Sequence, residues 1–361
     1  MKVLHVGEYV NGGVATYLNE ILPFQEKQDG IEVYLLMSEF KSSKDIKINV
    51  SNKYFYKYKR NIFYFPYTLI QIYLKIKKIK PDIIHLHSTF AGLFIRLLYI
   101  FKDSKSKPII IYCAHGWSFL SQASIIKKKL YIIVEKILSL KTDLIINISN
   151  YEHVQSLKNG IGENKSIMIY NGITSENEFS KSIDLGTDKI KILFVGRFDK
   201  QKGLDIILNL FQKFRFRDVK LFIAGDSVLS NEAISIPTNV VQLGWVDQKM
   251  LGEYYKASDV VIMPSRWEGF GLVAVEAMKF KKPVIVSDRG ALPELVQNDE
   301  NGYVFNLDNE EELASIIDNL NKDKLSQMGV KGYDLFKKKF TSQTMNSKIL
   351  FEYKRLLKNN N

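Results

Sequence analysis

The sequence predicts an α/β protein of two domains, each built on a parallel sheet. Three observations carry this reading. The chain has 361 residues, of which 46% are hydrophobic, which is long for one domain and ample for two cores. Short apolar runs bounded by turn residues alternate with amphipathic stretches along its whole length, the pattern of strands joined by helical crossovers. That alternation is interrupted from Asn171 to Asp188, where glycines, serines and mixed charges replace periodicity. The first domain is therefore expected at 1–172, a linker at 173–188, the second domain at 189–340 and a terminal helical segment at 341–361.

In the first domain, Val3–Val6 reads as the opening strand. Asn11-Gly-Gly13 follows as a glycine loop, and Val14–Pro23 as a helix. Ile31–Met37 is a second strand. Phe65–Ile79 reads as a helix, Pro81–His87 as a strand, Ala91–Phe101 as a helix and Pro108–Cys113 as a strand. Ile125–Leu140 is a long helix, followed by strands at Leu144–Ile148 and Ser166–Tyr170.

The second series begins at Ile190–Val195 and continues through Lys220–Ala224, Val240–Leu243, Val260–Met263 and Pro283–Val286. Gly302 reads as a turn glycine. Thr341–Leu357 is amphipathic, with Met345, Ile349, Tyr353 and Leu356 on one face.

Composition narrows the function. No apolar run approaches the roughly 18 residues of a membrane span. The first residues enter a strand directly, without the apolar core of a signal peptide, so residence in the cytoplasm is expected. The single cysteine, Cys113, excludes an intrachain disulfide framework and reads as a small buried filler. The formal net charge is +12, with lysine clusters at Lys53–Arg60, Lys75–Lys80, Lys102–Lys107 and Lys127–Lys129, interleaved with aromatics at 54–67. A solvated surface and an anionic membrane surface both fit this charge. Nucleic acid is not expected as a partner, because no recognition motif accompanies the charge.

The segment that carries chemistry is Glu268–Glu276, in which seven residues separate two carboxylates. The upstream run Ala257–Pro264 reads as a buried strand, Gly269-Phe270-Gly271 as a tight loop, and Leu272–Ala277 as the start of a helix. Free amides of the loop and the positive end of the helix dipole make an anion site there. Two carboxylates beside a bound phosphate suit hydrogen bonding to sugar and ribose hydroxyls. His85 and His87 lie on one side of a strand, and with His115 they raise the question of a metal. No further ligands arrive at zinc-like spacing, so no metal site is expected.

This segment resembles the E-x7-E signature of the retaining, nucleotide-sugar-dependent glycosyltransferases of family 4, whose GT-B architecture pairs two Rossmann-like domains around an active site in the interdomain cleft. Gly196-Arg197 through Lys202-Gly203 resembles the family's G-R-x-x-x-x-K-G element, and Gly12-Gly13 its N-terminal glycine pair. The resemblance covers nearly the whole chain and implies roles for named residues. Arg197 and Lys202 would face the donor diphosphate, where paired cations stabilise charge gained as the glycosidic bond breaks. Glu268 would contact the donor sugar, and Glu276 the ribose. His115, at a strand end, would lie close to the donor sugar. Gly12, Gly13, Gly269, Phe270, Gly271, Leu272 and Val273 would bring backbone to the donor. Gly225 and Val246, on strand-end loops, would border the nucleotide base. The terminal helix would cross back onto the first domain.

The activity so implied is transfer from a nucleoside diphosphate sugar, UDP-linked by expectation, to a hydroxyl of a lipid-linked saccharide in capsule, exopolysaccharide or lipopolysaccharide synthesis. No Asp-x-Asp pair occurs in the chain, so no essential metal or other cofactor is expected. A nucleotide-sugar epimerase or sugar phosphate synthase on the same architecture stays open as an alternative. So does a non-catalytic membrane- or nucleic-acid-binding protein, against which the four residues Arg197, Lys202, Glu268 and Glu276 argue.

Overall fold

The computed structural model describes residues 1–100, 107–176, 182–226 and 236–360. They form two compact units, Met1–Gly172 with Ser342–Asn361, and Ile173–Thr341.

The first unit runs β1 (Lys2–Gly7), α1 (Gly13–Glu26), β2 (Glu32–Ser38), β3 (Lys53–Tyr56), α2 (Phe65–Ile79), β4 (Ile83–His87), α3 (Thr89–Leu98), β5 (Ile109–Cys113), α4 (Ile125–Ser139), β6 (Leu144–Asn147), α5 (Asn150–Lys158) and β7 (Ser166–Met168). The seven strands form one parallel sheet in the order β3-β2-β1-β4-β5-β6-β7. Helices on both faces bury β4 and β5 completely, which is why these strands read as continuous rather than alternating apolar runs. Strand order reverses between β1 and β4, so the carboxyl ends of these strands are the natural ligand crevice.

The second unit runs β8 (Ile190–Val195), α6 (Leu204–Lys213), β9 (Val219–Ala224), β10 (Val240–Gly244), α7 (Gln248–Ala257), β11 (Val260–Met263), α8 (Leu272–Lys279), β12 (Val284–Ser287), α9 (Leu292–Leu295), β13 (Gly302–Phe305), α10 (Glu310–Asp318) and α11 (Lys322–Lys339). Its parallel sheet has the order β10-β9-β8-β11-β12-β13, with the reversal between β8 and β11. The last helix, α12 (Ser342–Asn360), packs on α1 of the first unit, where Asn346 Nδ2 donates to Glu20 O at 2.9 Å.

The structure departs from the sequence reading at four places. Pro23 does not end α1, which continues to Glu26. The proline forfeits one helical hydrogen bond, but burial of Ile21, Leu22 and Gln25 holds the last turn in place. The basic run Lys53–Arg60 contains strand β3, and its Tyr56 and Tyr58 are core residues; Tyr56 Oη donates to Gly7 O at 2.8 Å. Gly302 is not a turn glycine. It opens β13, where a Cβ would lie 2.1 Å from Val284 O, so close strand approach requires glycine. The helix α5, capped by Ser149 Oγ on the Glu152 amide, has no counterpart in the sequence reading. Lys102 and Lys105 of the Lys102–Lys107 cluster, and 177–181 of the expected linker, lie outside the described residues. Ile173, the first expected linker residue, donates its amide to Phe340 O at 3.0 Å and bridges to Thr341.

Candidate active site

In the second unit the sequence-predicted residues gather at the carboxyl ends of β8 and β11. The loop after β8 carries Gly196, Arg197 and Lys202; the loop after β11 carries Glu268 through Gly271. Lys202 Nζ meets Glu268 Oε1 at 2.5 Å, with both side chains largely covered. Ser265 Oγ donates to the same carboxylate oxygen at 3.3 Å. Arg197 is half-exposed and pairs with Asp199 at 3.0 Å and with Gln201 Oε1 at 3.1 Å. Asp199 in turn accepts the Lys202 amide at 3.0 Å.

The two loops are joined through their backbones. Arg266 N donates to Gln201 O at 2.8 Å, and Gln201 Nε2 to Trp267 O at 3.2 Å. Gly203, at φ 70, is the residue before α6, and a Cβ on it would lie 1.9 Å from Pro264 O. Only glycine lets the lysine loop approach the end of β11 so closely. The Gly225 loop is tied in the same manner: Gly196 N donates to Ala224 O at 3.0 Å and Gly225 N to Gly244 O at 2.8 Å. Val246, half-buried, follows Gly244 on the loop into α7.

Gly271, at φ 109, precedes α8, whose first turn has neither an acidic residue nor a side-chain cap. The amides of Leu272 and Val273 therefore belong to a helix end that favours an anion. Gly269 is half-buried, and the Phe270 side chain is buried against Phe340 at 5.9 Å between ring centroids. Glu276 is half-buried on α8 and accepts a 2.7 Å hydrogen bond from Tyr255 Oη. Burial, and then the Glu276 charge, push the Tyr255 phenol well above its ordinary pKa. Tyr255 and Ser265 were not singled out in the sequence, because a helix tyrosine and a loop serine carry no signal before their partners are known.

In the first unit, Gly12 and Gly13 are exposed at the start of α1, which has no acidic first-turn residue and no side-chain cap. His115 follows β5 with a left-handed backbone, φ 52. Its Nε2 lies 3.0 Å from His87 Nδ1, and its ring packs edge-on against Tyr17 at 4.5 Å. Burial lowers its pKa from 6.5 to about 3. Cys113 is fully buried, and burial raises its thiol pKa. The cluster that could hold a metal is His5, His85 and His87, with ligand atoms within 4.8 Å of one another. Sequence reasoning missed His5. Its signal was register: His5 and His85 are opposite partners on adjacent β1 and β4.

The fold defines a two-domain α/β protein with two parallel sheets, and comparison with known proteins agrees. Residues 175–334 match the family model "Glycosyl transferases group 1", and residues 11–177 match "Glycosyltransferase Family 4". The chain belongs to the family 4 glycosyltransferases and has their GT-B fold. It is 38% identical over 332 residues to an uncharacterized 41.2 kDa protein in the cps region of Klebsiella pneumoniae, covering 88% of this chain and 89% of that one. It is 27% identical over 280 residues to the UDP-Gal:alpha-D-GlcNAc-diphosphoundecaprenol alpha-1,3-galactosyltransferase of Escherichia coli, covering 72% and 71%. Among solved structures, Anabaena HepE in complex with UDP superposes with a TM-score of 0.81 at 17% identity, covering 98% of this chain and 100% of that one. Among the described residues, no helix is long and apolar enough to cross a membrane.

Proposed function

We propose that this glycosyltransferase moves a sugar, with retention of anomeric configuration, from a UDP-sugar to a hydroxyl of a lipid-linked saccharide in polysaccharide assembly. The observation that carries the reading is the Lys202–Glu268 pair held beside the open amino end of α8. In the free protein Glu268 holds the lysine. A diphosphate at the helix end takes up that cation together with Arg197, and these charges stabilise the leaving group as an oxocarbenium-like state forms. Released from Lys202, Glu268 can turn to sugar hydroxyls, and Glu276, positioned by Tyr255, takes the ribose. No metal is required in this scheme, because the cations and the helix dipole already face the diphosphate. UDP as carrier and a lipid-linked acceptor are supported by the name of the Escherichia coli relative and by the UDP complex of the Anabaena neighbour. The test is product formation from UDP-sugars with an undecaprenyl-diphosphate saccharide, in EDTA, followed by NMR of the new linkage. An inverted anomer, or activity that appears only with added Mn²⁺, contradicts the scheme.

The same reading places an anionic membrane against the first unit. Ile126, Leu130, Ile133 and Ile137 form an exposed row on α4, flanked by Lys127, Lys129 and Lys136. On α2, Tyr67, Ile70 and Leu74 are exposed beside Lys75, Lys77 and Lys78. Apolar residues bordered by lysines are the signature of a helix lying in a lipid interface. Co-sedimentation with vesicles containing phosphatidylglycerol should occur and be lost in Ile126→Asp/Ile133→Asp. Equal recovery with and without vesicles sinks this assignment.

A further inference from the structure

Four of the five histidines of the chain meet in one buried chain of hydrogen bonds in the first unit. His115 Nε2 is 3.0 Å from His87 Nδ1, and His87 Nε2 is 2.9 Å from His5 Nδ1. His5 Nε2 is 2.9 Å from Gln25 Oε1, and Gln25 Nε2 is 3.4 Å from Tyr353 Oη. Tyr353 Oη closes the chain at 2.6 Å from His85 Nδ1. His5, His85, His87 and Tyr353 have no solvent exposure, and Gln25 has almost none. Burial lowers the pKa of His5 to about 4 and those of His85 and His87 well below 6.5, so the rings are neutral near pH 7.

A neutral imidazole donates from one nitrogen and accepts at the other, so the direction of any one bond sets all the others. The Gln25 amide sets that direction. Its Oε1 faces His5 Nε2 and its Nε2 faces Tyr353 Oη, so Tyr353 accepts from Gln25 and donates its own proton to His85 Nδ1, which leaves the His85 proton on the buried, unpartnered Nε2. His5 must donate from Nε2 and accept at Nδ1. His87 and His115 follow in the same sense, each donating from Nε2. The Nδ1 of His115, a residue only partly buried, is thereby left as an acceptor.

We propose that Tyr353, Gln25, His5 and His87 are positioning residues that fix His115 as its Nε2–H tautomer, so that it offers Nδ1 to a hydroxyl proton of the substrate. The relay makes the terminal helix α12, through Tyr353, part of the machinery that orients a residue at the end of β5. It also explains why α1 runs past Pro23, since the extra turn delivers Gln25. The proposal rests on the reading of this protein as a sugar transferase, which supplies the hydroxyl.

The full-length protein, labelled with ¹⁵N-histidine, tests it by long-range ¹H–¹⁵N correlation at pH 7. In the wild type, His5, His87 and His115 should all carry the proton on Nε2. A His115 protonated on Nδ1 overturns the proposal. Gln25→Leu should give a mixture of His115 tautomers, and Gln25→Glu, which keeps an acceptor toward His5, should restore the Nε2–H form. Tyr353→Phe, a milder change, frees the Gln25 amide and should also mix the tautomers. An unchanged His115 spectrum in both Gln25→Leu and Tyr353→Phe refutes the relay. Turnover of the UDP-sugar should fall about tenfold in Gln25→Leu, the effect of one lost hydrogen bond at the reacting substrate, while the affinity for UDP stays the same. Failure of UDP to bind the wild type counts against the donor assignment alone, because the tautomer pattern is read without ligand.

Discussion

Mild acid should destabilise the first unit steeply, because three fully buried histidines there must stay neutral. His5, His85 and His87 have no solvent exposure, and burial is the largest cause lowering each pKa, to about 4 for His5 and well below 6.5 for the other two. In the unfolded chain each returns to about 6.5. Between those values the unfolded state binds more protons than the folded state. The stabilisation is therefore fully present above pH 6.5 and is lost as the pH falls toward the folded values. Each such histidine contributes a slope of about 1.4 kcal/mol per pH unit in that window. Moving from pH 7.5 to 5.5 removes about 1.4 kcal/mol per histidine and about 4 kcal/mol for the three, with the partly exposed His115 adding at most about 1.4 kcal/mol more; this is a large share of a typical domain stability of about 5–15 kcal/mol. Urea unfolding followed by Trp117 fluorescence, in a Trp245→Phe/Trp267→Phe background, reports this unit alone. His85→Gln should reduce the loss by about 1.4 kcal/mol. A difference below about 1 kcal/mol between the two pH values would refute the reasoning, because the rings would then be titrating as they do in water.

Three further outcomes follow from particular contacts. Arg96, fully buried on α3, pairs with Glu135 of α4 at 2.9 Å, and Tyr112 Oη donates to the same carboxylate at 3.0 Å; Glu135→Leu strands the arginine charge and should cost about 3–5 kcal/mol in urea unfolding. Gly302→Ala drives a methyl group to 2.1 Å from Val284 O, and should cost at least about 1–3 kcal/mol by calorimetry, with pairing of β12 and β13 weakened in hydrogen exchange. Tyr255→Phe removes the 2.7 Å bond to Glu276, and the affinity for UDP measured by calorimetry should fall about 10- to 100-fold, corresponding to the roughly 1.5–3 kcal/mol of a hydrogen bond to a charged group.

Much of the architecture was legible because parallel strands buried on both faces advertise themselves as apolar runs. Helix α2 was read at the bounds it has, Phe65–Ile79. The loops that carry Arg197, Lys202 and Glu268 were visible because their glycines and charges are local in sequence. What escaped depends on partners distant in the chain. The first helix was read only to Pro23, because the burial of Gln25 against His5 and Tyr353 that carries it on to Glu26 is not local in sequence. Tyr56 and Tyr58 sat in a lysine-rich run, and only the pairing of β3 with β2 turns them inward. Gly302 resembled a turn until Val284 was found against it. His5 gained meaning only once β1 lay beside β4.

The most direct test of the account is calorimetric titration of UDP and UDP-sugars into the wild type and into Lys202→Met and Glu276→Gln, without divalent metal. The account predicts a single site in the wild type, at least tenfold weaker binding in Lys202→Met through loss of the diphosphate cation, and weaker UDP binding in Glu276→Gln through loss of the ribose contact. Equal affinity across all three proteins, or no UDP binding to any of them while each is folded, would contradict the placement of the donor at the loops after β8 and β11.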